Sequence, residues 1–168
     1  MAKHQSAVFA GVVRNGGPGL PGVLGNLERL AGLYAEVAFV FVVSDTTDGS
    51  LLLLEQWLAT GRSGKAIDLG DLEPRLPLRT ERIAFARNAY LDAVRASAWS
   101  EFDHLVVADL DDVMAMPVAI EGYKLATDWL DDGATRAAVF AGAAPKYYDI
   151  WALRHDAWCP GDCYGSQM

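Results

Sequence analysis

Two aspartates separated by a single residue, Asp109 and Asp111, are the side chains of this sequence best suited to chemistry. They follow an apolar run at 104–108 that reads as a buried strand. In an extended chain, alternate side chains point to one side and their Cα atoms lie roughly 6.5–7 Å apart. Carboxylate oxygens so placed suit Mn²⁺ or Mg²⁺, which keep coordination positions open for phosphate oxygens. The pair predicts a metal site for a diphosphate, and the alternative is that it marks a solvated turn.

A further carboxylate, Asp45, follows the apolar run 37–43 at the end of another predicted strand. At that position it can accept hydrogen bonds from a ribose or a base, or from the turn that contains it. The sequence does not separate these two interpretations. For Asp48 we expect turn and cap hydrogen bonds, and we expect Ser50 to be the N-cap of the next helix.

A predicted helix over about 79–98 carries arginines near its apolar face. At ~100° per residue, Arg79 and Arg87 lie within roughly 40° of the centre of that face. A guanidinium there needs a carboxylate partner or an anionic ligand, because unpaired burial of charge is costly. Asn88 adds an amide beside Arg87, whereas Arg82 also reads as a solvated residue. The apolar face is predicted from Ile83, Ala86, Tyr90 and Val94.

The elements that position these residues alternate between apolar strands and helices. Strands are predicted over 7–13, 37–43, 66–69, 104–108, 137–142 and 148–153, and helices over about 21–34, 50–59, 79–98 and 119–130. Strands that are apolar on both faces and alternate with helices indicate a mainly parallel sheet between helix layers, which is a Rossmann-like α/β fold. Ligands of such sheets bind beyond the carboxyl ends of the strands, where Asp45, Asp109 and Asp111 are expected.

Size, composition and charge narrow the classes of function. A chain of 168 residues with 52% hydrophobic and 21% charged residues is expected to form one globular domain. The net charge of −8 argues against nucleic acid as a partner, so an anionic ligand needs local arginines or a cation. The sequence lacks a run of ~20 apolar residues and a signal peptide. We therefore expect no integral membrane segment and a cytoplasmic location.

Four segments, taken in order, resemble the GT-A glycosyltransferases. They are Arg14-Asn15 after the first strand, 44–50, 82–88 and 107–113. The segment 147–154, Tyr-Tyr-Asp-Ile-Trp-Ala-Leu-Arg, looks like one found in the branch that includes fungal capsule-associated mannosyltransferases. The resemblance implies a GT-A sandwich and a metal-dependent hexosyltransferase, with mannose as one candidate sugar. The partners would be a nucleoside-diphosphate sugar and a glycan or other hydroxyl acceptor.

The resemblance also assigns roles to residues that match its motifs. Asp111 would be the main ligand of Mn²⁺ or Mg²⁺, with Asp109 supporting the metal and contacting the sugar or ribose. Asp45 would bind the nucleoside, and Arg87 with Asn88 would bind the donor or the acidic loop. The full substrate-binding set is Arg14, Asp45, Arg82, Arg87, Asn88, Asp109 and Tyr148, and the residues assigned to catalysis are Asp149 and Arg154.

The resemblance departs from the family at the end of the chain. Family members carry a substantial acceptor-binding portion after this point, whereas this sequence ends at Met168. We therefore interpret 1–168 as a single nucleotide-sugar-binding domain, with the hypothesis that the acceptor-binding portion is missing. A catalytic base and the choice between inversion and retention are not assigned.

Two other functions fit parts of the sequence. The segment 17–22 matches the dinucleotide fingerprint Gly-x-Gly-x-x-Gly, which would suit an NAD-dependent oxidoreductase. Against this, Pro18 and Pro21 remove backbone N–H groups from the loop that should hold the pyrophosphate, and the two aspartates after the fourth strand are left unexplained. The other alternative is a glycosyltransferase-like domain that binds nucleotide without turnover, which an assay with a donor sugar would distinguish.

Overall fold

In the described part of the chain, four strands form one sheet: β1 His4–Val13, β2 Tyr34–Val43, β3 Gly64–Asp68 and β4 His104–Val107. The strands are parallel and lie in the order β3-β2-β1-β4. The computed structural model describes residues 4–133 and 137–138. The central strands β1 and β2 are apolar on both sides because helices cover both of their faces.

Helices follow the strands and cover the two faces of the sheet. The α-helices are α1 Leu20–Ala31, α2 Ser50–Ala59, α3 Arg79–Arg95 and α4 Ile120–Asp131. Three 3₁₀ turns occur at Gly17–Gly19, Ala98–Glu101 and Asp112–Ala115. Helices α1, α2 and α4 pack with Phe9, Phe39 and Phe41 on one face, and α3 packs with Val8 and Val40 on the other.

The carboxyl ends of the strands meet at one edge, where backbone hydrogen bonds join the loops that leave them. The Ser44 N–H donates to the Val13 carbonyl at 3.4 Å, and the Asp45 N–H donates to the Gly70 carbonyl at 2.9 Å. The Ala108 N–H donates to the Ala10 carbonyl at 2.9 Å. The loops after all four strands are therefore held together at the edge where parallel sheets bind ligands.

The predicted mainly parallel α/β sheet with flanking helices is confirmed for the described part of the chain, and it is compatible with a Rossmann-like fold. Helix α2 has the predicted bounds. Helix α3 ends earlier than predicted, because the Ser97 side chain donates to the Val94 carbonyl at 2.8 Å and accepts from the Trp99 N–H, which starts a 3₁₀ turn.

The fourth strand differs from its prediction as a buried strand. Leu105 and Val107 are 44% and 51% exposed, because α3 packs mainly over β1 and β2 rather than over β4. The predicted strand 148–153 lies outside the described residues, as does 139–142 of the strand predicted at 137–142. Ala137 and Ala138 are described and belong to no strand. Of the described helices, none combines the length and the apolar character needed to cross a bilayer.

Candidate functional site

The loop after β4 presents its two carboxylates to solvent and its central leucine to the core. Leu110 is 2% exposed, the Asp109 side chain is 68% exposed, and Asp111 is also exposed. This alternation of exposed and buried residues is the one expected of an extended segment. The chain then turns at once into the 3₁₀ segment Asp112–Ala115, where the Met114 N–H donates to the Asp111 carbonyl at 3.1 Å.

Gly11 of β1 lets this loop lie directly against the sheet. A Cβ atom built at Gly11 would be 2.6 Å from the Ala108 carbonyl oxygen and 2.8 Å from Cγ of Leu110. Carbon atoms in proteins do not approach that closely, so any larger residue would displace the loop. A glycine inside a strand commonly marks such a close approach of another segment of backbone.

Helix α1 holds the other side of the same loop through Asn26. The amide nitrogen of Asn26 donates to the carbonyl oxygens of Met114 and Met116, both at 2.7 Å, and the residue is 5% exposed. One turn earlier, Gly22 allows Ala115 to approach, since a Cβ there would be 3.2 Å from the Ala115 carbonyl oxygen. The segment that follows the two aspartates is thus fixed to α1 by side-chain hydrogen bonds and close packing.

Sequence patterns did not predict these roles of Gly11, Gly22 and Asn26. A signal for Asn26 was present, because this amide lies between Leu24 and Leu27 in the apolar stripe of α1. A buried polar side chain in such a stripe must find hydrogen-bond partners. Its acceptors could not have been predicted, since they lie 88 and 90 residues further along the chain.

Arg87 forms an exposed ion pair with Asp109 of the loop after β4, here called the acidic loop. Its Nη2 lies 3.6 Å from Oδ1 of Asp109, and the Arg87 side chain is 49% exposed. The prediction that Arg79 and Arg87 lie near the centre of the buried face of α3 is wrong, because both are exposed. The buried positions of the helix are Ala86, Tyr90 and Val94, as predicted, together with Arg82 and Ala93.

Tyr90 is buried near the ion pair of Arg87 and Asp109. The residue is 4% exposed, and burial raises the pKa of its phenol. The Arg87 charge acts to lower that pKa and the Asp109 charge acts to raise it. The phenol therefore stays protonated while both charged groups lie close to it.

Asp45 is buried and hydrogen-bonded within the protein. Its side chain is 4% exposed, and Oδ1 accepts the N–H groups of Leu72 and Glu73 at 2.8 and 2.9 Å. Burial by itself raises the pKa of Asp45. Hydrogen bonds with the backbone of Glu73 and Leu72 and with the side chains of Asp71 and Ser44 together outweigh burial and hold the pKa below its ordinary value. Of the two interpretations of Asp45, these contacts favour hydrogen bonds within the protein.

Arg82 is the buried partner of Asp45. Its Nε lies 3.8 Å from Oδ2 of Asp45, and its Nη1 donates to the carbonyl oxygens of Leu76 and Pro77 at 2.9 and 2.8 Å. With 8% of the residue exposed, the interpretation of Arg82 as a solvated residue is wrong. The side chain therefore joins α3 to the loop after β2 and to the segment that precedes the helix.

The glycine-rich loop after β1 has its amides bound by side chains of the loop after β2. The N–H groups of Gly16 and Gly17 donate to the Ser50 hydroxyl at 2.9 Å and to the Asp48 carboxylate at 3.0 Å. The Asn15 N–H donates to the Thr46 hydroxyl at 3.3 Å. A pyrophosphate in this loop would have to displace these acceptors, one of which is itself an anion.

Asp48 makes the turn and cap hydrogen bonds that were expected of it. Its Oδ1 accepts the Ser50 N–H at 2.9 Å, and the Ser50 hydroxyl together with that N–H holds the pKa of Asp48 below its ordinary value. Ser50 itself is not the N-cap, because Gly49 occupies that position. The Ser50 hydroxyl instead accepts the Gly16 amide, which ties α2 to the loop after β1.

The structure brings together some of the predicted site residues and separates others. Arg87 and Asp109 are in contact, and Asp111 is two residues away. Arg14 lies on the same edge, with Nη2 3.7 Å from Oε2 of Glu73 and half of its side chain exposed. Asn88 is exposed on α3.

Other predicted site residues lie apart from this edge. Asp45 and Arg82 form a separate buried pair. The remaining predicted residues lie outside the described part of the chain; they are Tyr148, Asp149 and Arg154.

Asp109 and Asp111 are the proposed ligands of a metal ion at this edge. Within residues 4–133 and 137–138, no three His, Cys, Asp or Glu side chains are grouped closely enough to hold a metal. Asp109 and Asp111 nevertheless fit Mg²⁺ or Mn²⁺, because these ions are commonly bound by one or two carboxylates together with substrate phosphates and water. The exposed carboxylates and the tightly held loop suit that arrangement.

Comparisons with protein-family models, with curated proteins and with solved structures found no match. Function is therefore inferred from the geometry of this chain. Its strongest feature is the edge where Asp109, Asp111 and Arg87 meet solvent on a loop fixed to β1 and α1.

Proposed function

We propose that this chain is the nucleotide-sugar-binding domain of a metal-dependent GT-A glycosyltransferase. It would take part in moving a sugar from a nucleoside-diphosphate donor to a glycan or other hydroxyl acceptor. The observation that carries the proposal is the exposed pair Asp109 and Asp111, with Arg87 3.6 Å from Asp109, at the carboxyl edge of a parallel sheet. Parallel sheets bind their ligands at this edge, and the groups present there suit a cation and a diphosphate.

Each of these side chains has a distinct part in binding the donor. Asp109 and Asp111 hold Mn²⁺ or Mg²⁺, which when bound offsets the charge that develops on the leaving diphosphate. Arg87 presents a planar guanidinium, which binds phosphate oxygens through two parallel hydrogen bonds. A chain with a net charge of −8 needs such local positive charge to bind an anion.

The other residues assigned from the resemblance differ in burial, and their proposed roles differ accordingly. Arg14 is half exposed at the same edge and can contact the donor, whereas Asp45 and Arg82 support the loop that borders it. Asn88 keeps its proposed place beside Arg87. Tyr148 as a donor contact, and Asp149 with Arg154 as catalytic residues, remain predictions from the resemblance.

Thermal unfolding with nucleoside diphosphates, with and without Mn²⁺, tests the proposal. A ligand at ~100 times its Kd stabilises the folded state by about 2.7 kcal/mol, which raises the Tm of a domain of this size by roughly 5–10 °C. We expect this shift with Mn²⁺ present, and we expect Asp111→Asn to abolish it. Asp128→Asn makes the same change at an exposed site on α4 and should retain the shift. If no nucleoside diphosphate gives a Mn²⁺-dependent shift with the unaltered protein, the proposal is wrong.

The alternative function, an NAD-dependent oxidoreductase, has less support than a glycosyltransferase. The Gly17 amide is bound by the Asp48 carboxylate, so negative charge lies where the pyrophosphate would bind. A nucleotide-binding domain without turnover shares the same donor site, and a product assay with donor sugars and candidate glycans distinguishes it from the enzyme.

A further inference from the structure

Three arginines at the carboxyl edge each face a carboxylate, but they are held very differently. Arg82 is buried and bound to two backbone carbonyls as well as to Asp45. Arg14 and Arg87 are about half exposed, at 3.7 Å from Glu73 and 3.6 Å from Asp109. These two separations exceed the usual length of a charged hydrogen bond, and exposed ion pairs of this kind contribute little to stability.

Arg87 differs from Arg14 in the identity of its partner. The carboxylate that faces Arg87 is Asp109, which is one of the two groups proposed to hold the cation. A guanidinium and a divalent cation at the same carboxylate repel each other and compete for its oxygens. A diphosphate beside that carboxylate attracts both of them.

Resting on the proposed function, we propose that Arg87 is an exchangeable group that couples the binding of the cation to the binding of the nucleotide. Paired with Asp109, Arg87 opposes binding of the cation alone. When cation and diphosphate bind together, Arg87 leaves Asp109 and donates to the phosphate oxygens. Each ligand therefore strengthens the binding of the other, and by linkage the factor is the same in both directions.

Exchange is feasible because little else holds Arg87 in place. Its side chain is 49% exposed, and the carboxylate it would leave is 68% exposed, so both groups remain partly hydrated after they separate. The loop that carries Asp109 is fixed by Gly11 and Asn26, so the movement is confined to the arginine side chain. This arrangement requires a change of rotamer on α3 and no rearrangement of the sheet.

The test compares Arg87→Gln with a matched control, Arg95→Gln. Arg95 is also an exposed arginine of α3, with Nη1 3.5 Å from Oδ1 of Asp92, so both variants remove one positive charge and one weak ion pair from the same helix. Binding of Mn²⁺ alone is measured by electron paramagnetic resonance of the free ion. Binding of GDP and UDP, with and without Mn²⁺, is measured by calorimetry.

We expect Arg87→Gln to bind Mn²⁺ alone about 2- to 5-fold more tightly than Arg95→Gln, as loss of a weak competing ion pair would give. With saturating Mn²⁺ it should bind the nucleotide about 10-fold more weakly. A purely structural role for Arg87 would not tighten Mn²⁺ binding. Equal or weaker Mn²⁺ affinity in Arg87→Gln, with nucleotide binding intact in the unaltered protein, overturns this inference alone. Failure of the unaltered protein to bind either nucleotide with Mn²⁺ overturns the proposed function and this inference together.

Discussion

Asp45 and Asp109 occupy equivalent positions after the ends of two strands, but one carboxylate is buried and the other is exposed. The Asp45 side chain is 4% exposed and accepts two backbone N–H groups, while Arg82 lies against its other oxygen. The Asp109 side chain is 68% exposed and faces an arginine that is itself half exposed. The first carboxylate has its oxygens occupied by the protein, whereas the second is accessible to a ligand.

Replacement of Asp45 by Asn tests this assignment. Asn keeps an oxygen for the N–H groups of Leu72 and Glu73 but removes the charge that faces Arg82. Breaking a buried ion pair on one side is strongly destabilising, and we expect a loss of about 3 kcal/mol in the free energy of unfolding. Urea denaturation measures it. Nucleotide binding, corrected for the unfolded fraction, should be unchanged, and a selective loss of binding would instead place Asp45 in the donor site.

The loss of stability caused by Asp45→Asn should depend on pH. Because the pKa of Asp45 is lowered in the folded protein, its contribution to stability is present above the ordinary value of 3.8 and is lost as the pH falls through the folded value. The stability difference between the unaltered protein and Asp45→Asn should therefore stay level from neutral pH to near 3.8 and narrow as the pH falls further. Urea denaturation across this range measures it, and a difference that widens toward acid would contradict the direction of the shift.

At the scale of elements, the acidic loop is positioned by β1 and α1 rather than by its own sequence. Gly11 leaves space for the loop, and Asn26 binds two of its carbonyl oxygens. A cation site tolerates small errors in the position of its ligands poorly, so these supports matter to function as well as to stability.

Replacement of Gly11 by Ala should displace the loop. The new Cβ would be 2.6 Å from the Ala108 carbonyl oxygen, and overpacking of this kind costs about 1–3 kcal/mol. We expect a lower Tm and weaker Mn²⁺-dependent nucleotide binding. Gly25→Ala on α1 is the matched control, because its Cβ would meet no atom within 4 Å and alanine favours a helix. Unchanged nucleotide affinity in Gly11→Ala would show that the position of the loop is not critical.

At the scale of the whole molecule, the two ends of the sheet have different tasks. The carboxyl end carries the candidate site. The amino end carries a chain of hydrogen bonds that attaches α4 and runs from buried to exposed residues. The Tyr34 hydroxyl lies 2.7 Å from the Tyr123 hydroxyl and 3.1 Å from Nδ1 of His104, whose Nε2 lies 3.1 Å from the Asp131 carboxylate. Burial raises the pKa of Tyr34 and of Tyr123, so both phenols remain protonated and able to donate.

Replacement of Tyr123 by Phe should separate stability from binding. It removes one buried hydrogen bond and leaves the Tyr34 hydroxyl with one partner fewer, which costs about 1–3 kcal/mol. Because this contact lies at the end of the sheet away from the acidic loop, Mn²⁺-dependent nucleotide affinity should be unchanged. Denaturation and calorimetry on the same protein measure the two quantities. A clear loss of affinity would show that the two ends of the molecule are coupled.

Local patterns in the sequence were sufficient to predict most of the framework. The apolar runs of β1 and β2, the bounds of α2 and the alternation of strands with helices predicted a parallel α/β sheet. The residue between Asp109 and Asp111, Leu110, is buried, as alternation along an extended chain would give. These features depend on the spacing of apolar and polar residues within one segment, which the sequence of that segment alone contains.

Tertiary structure alone decided which of the candidate residues are accessible. Helical periodicity placed Arg87 near the buried face of α3, but Arg87 is 49% exposed beside Asp109. Arg82, which also read as solvated, is buried against Asp45 and two backbone carbonyls. The same is true of Asn26, whose two acceptors lie about 90 residues away in sequence. The physical reason is that burial and hydrogen-bond satisfaction depend on contacts between distant segments, and the pattern within one segment contains no record of them.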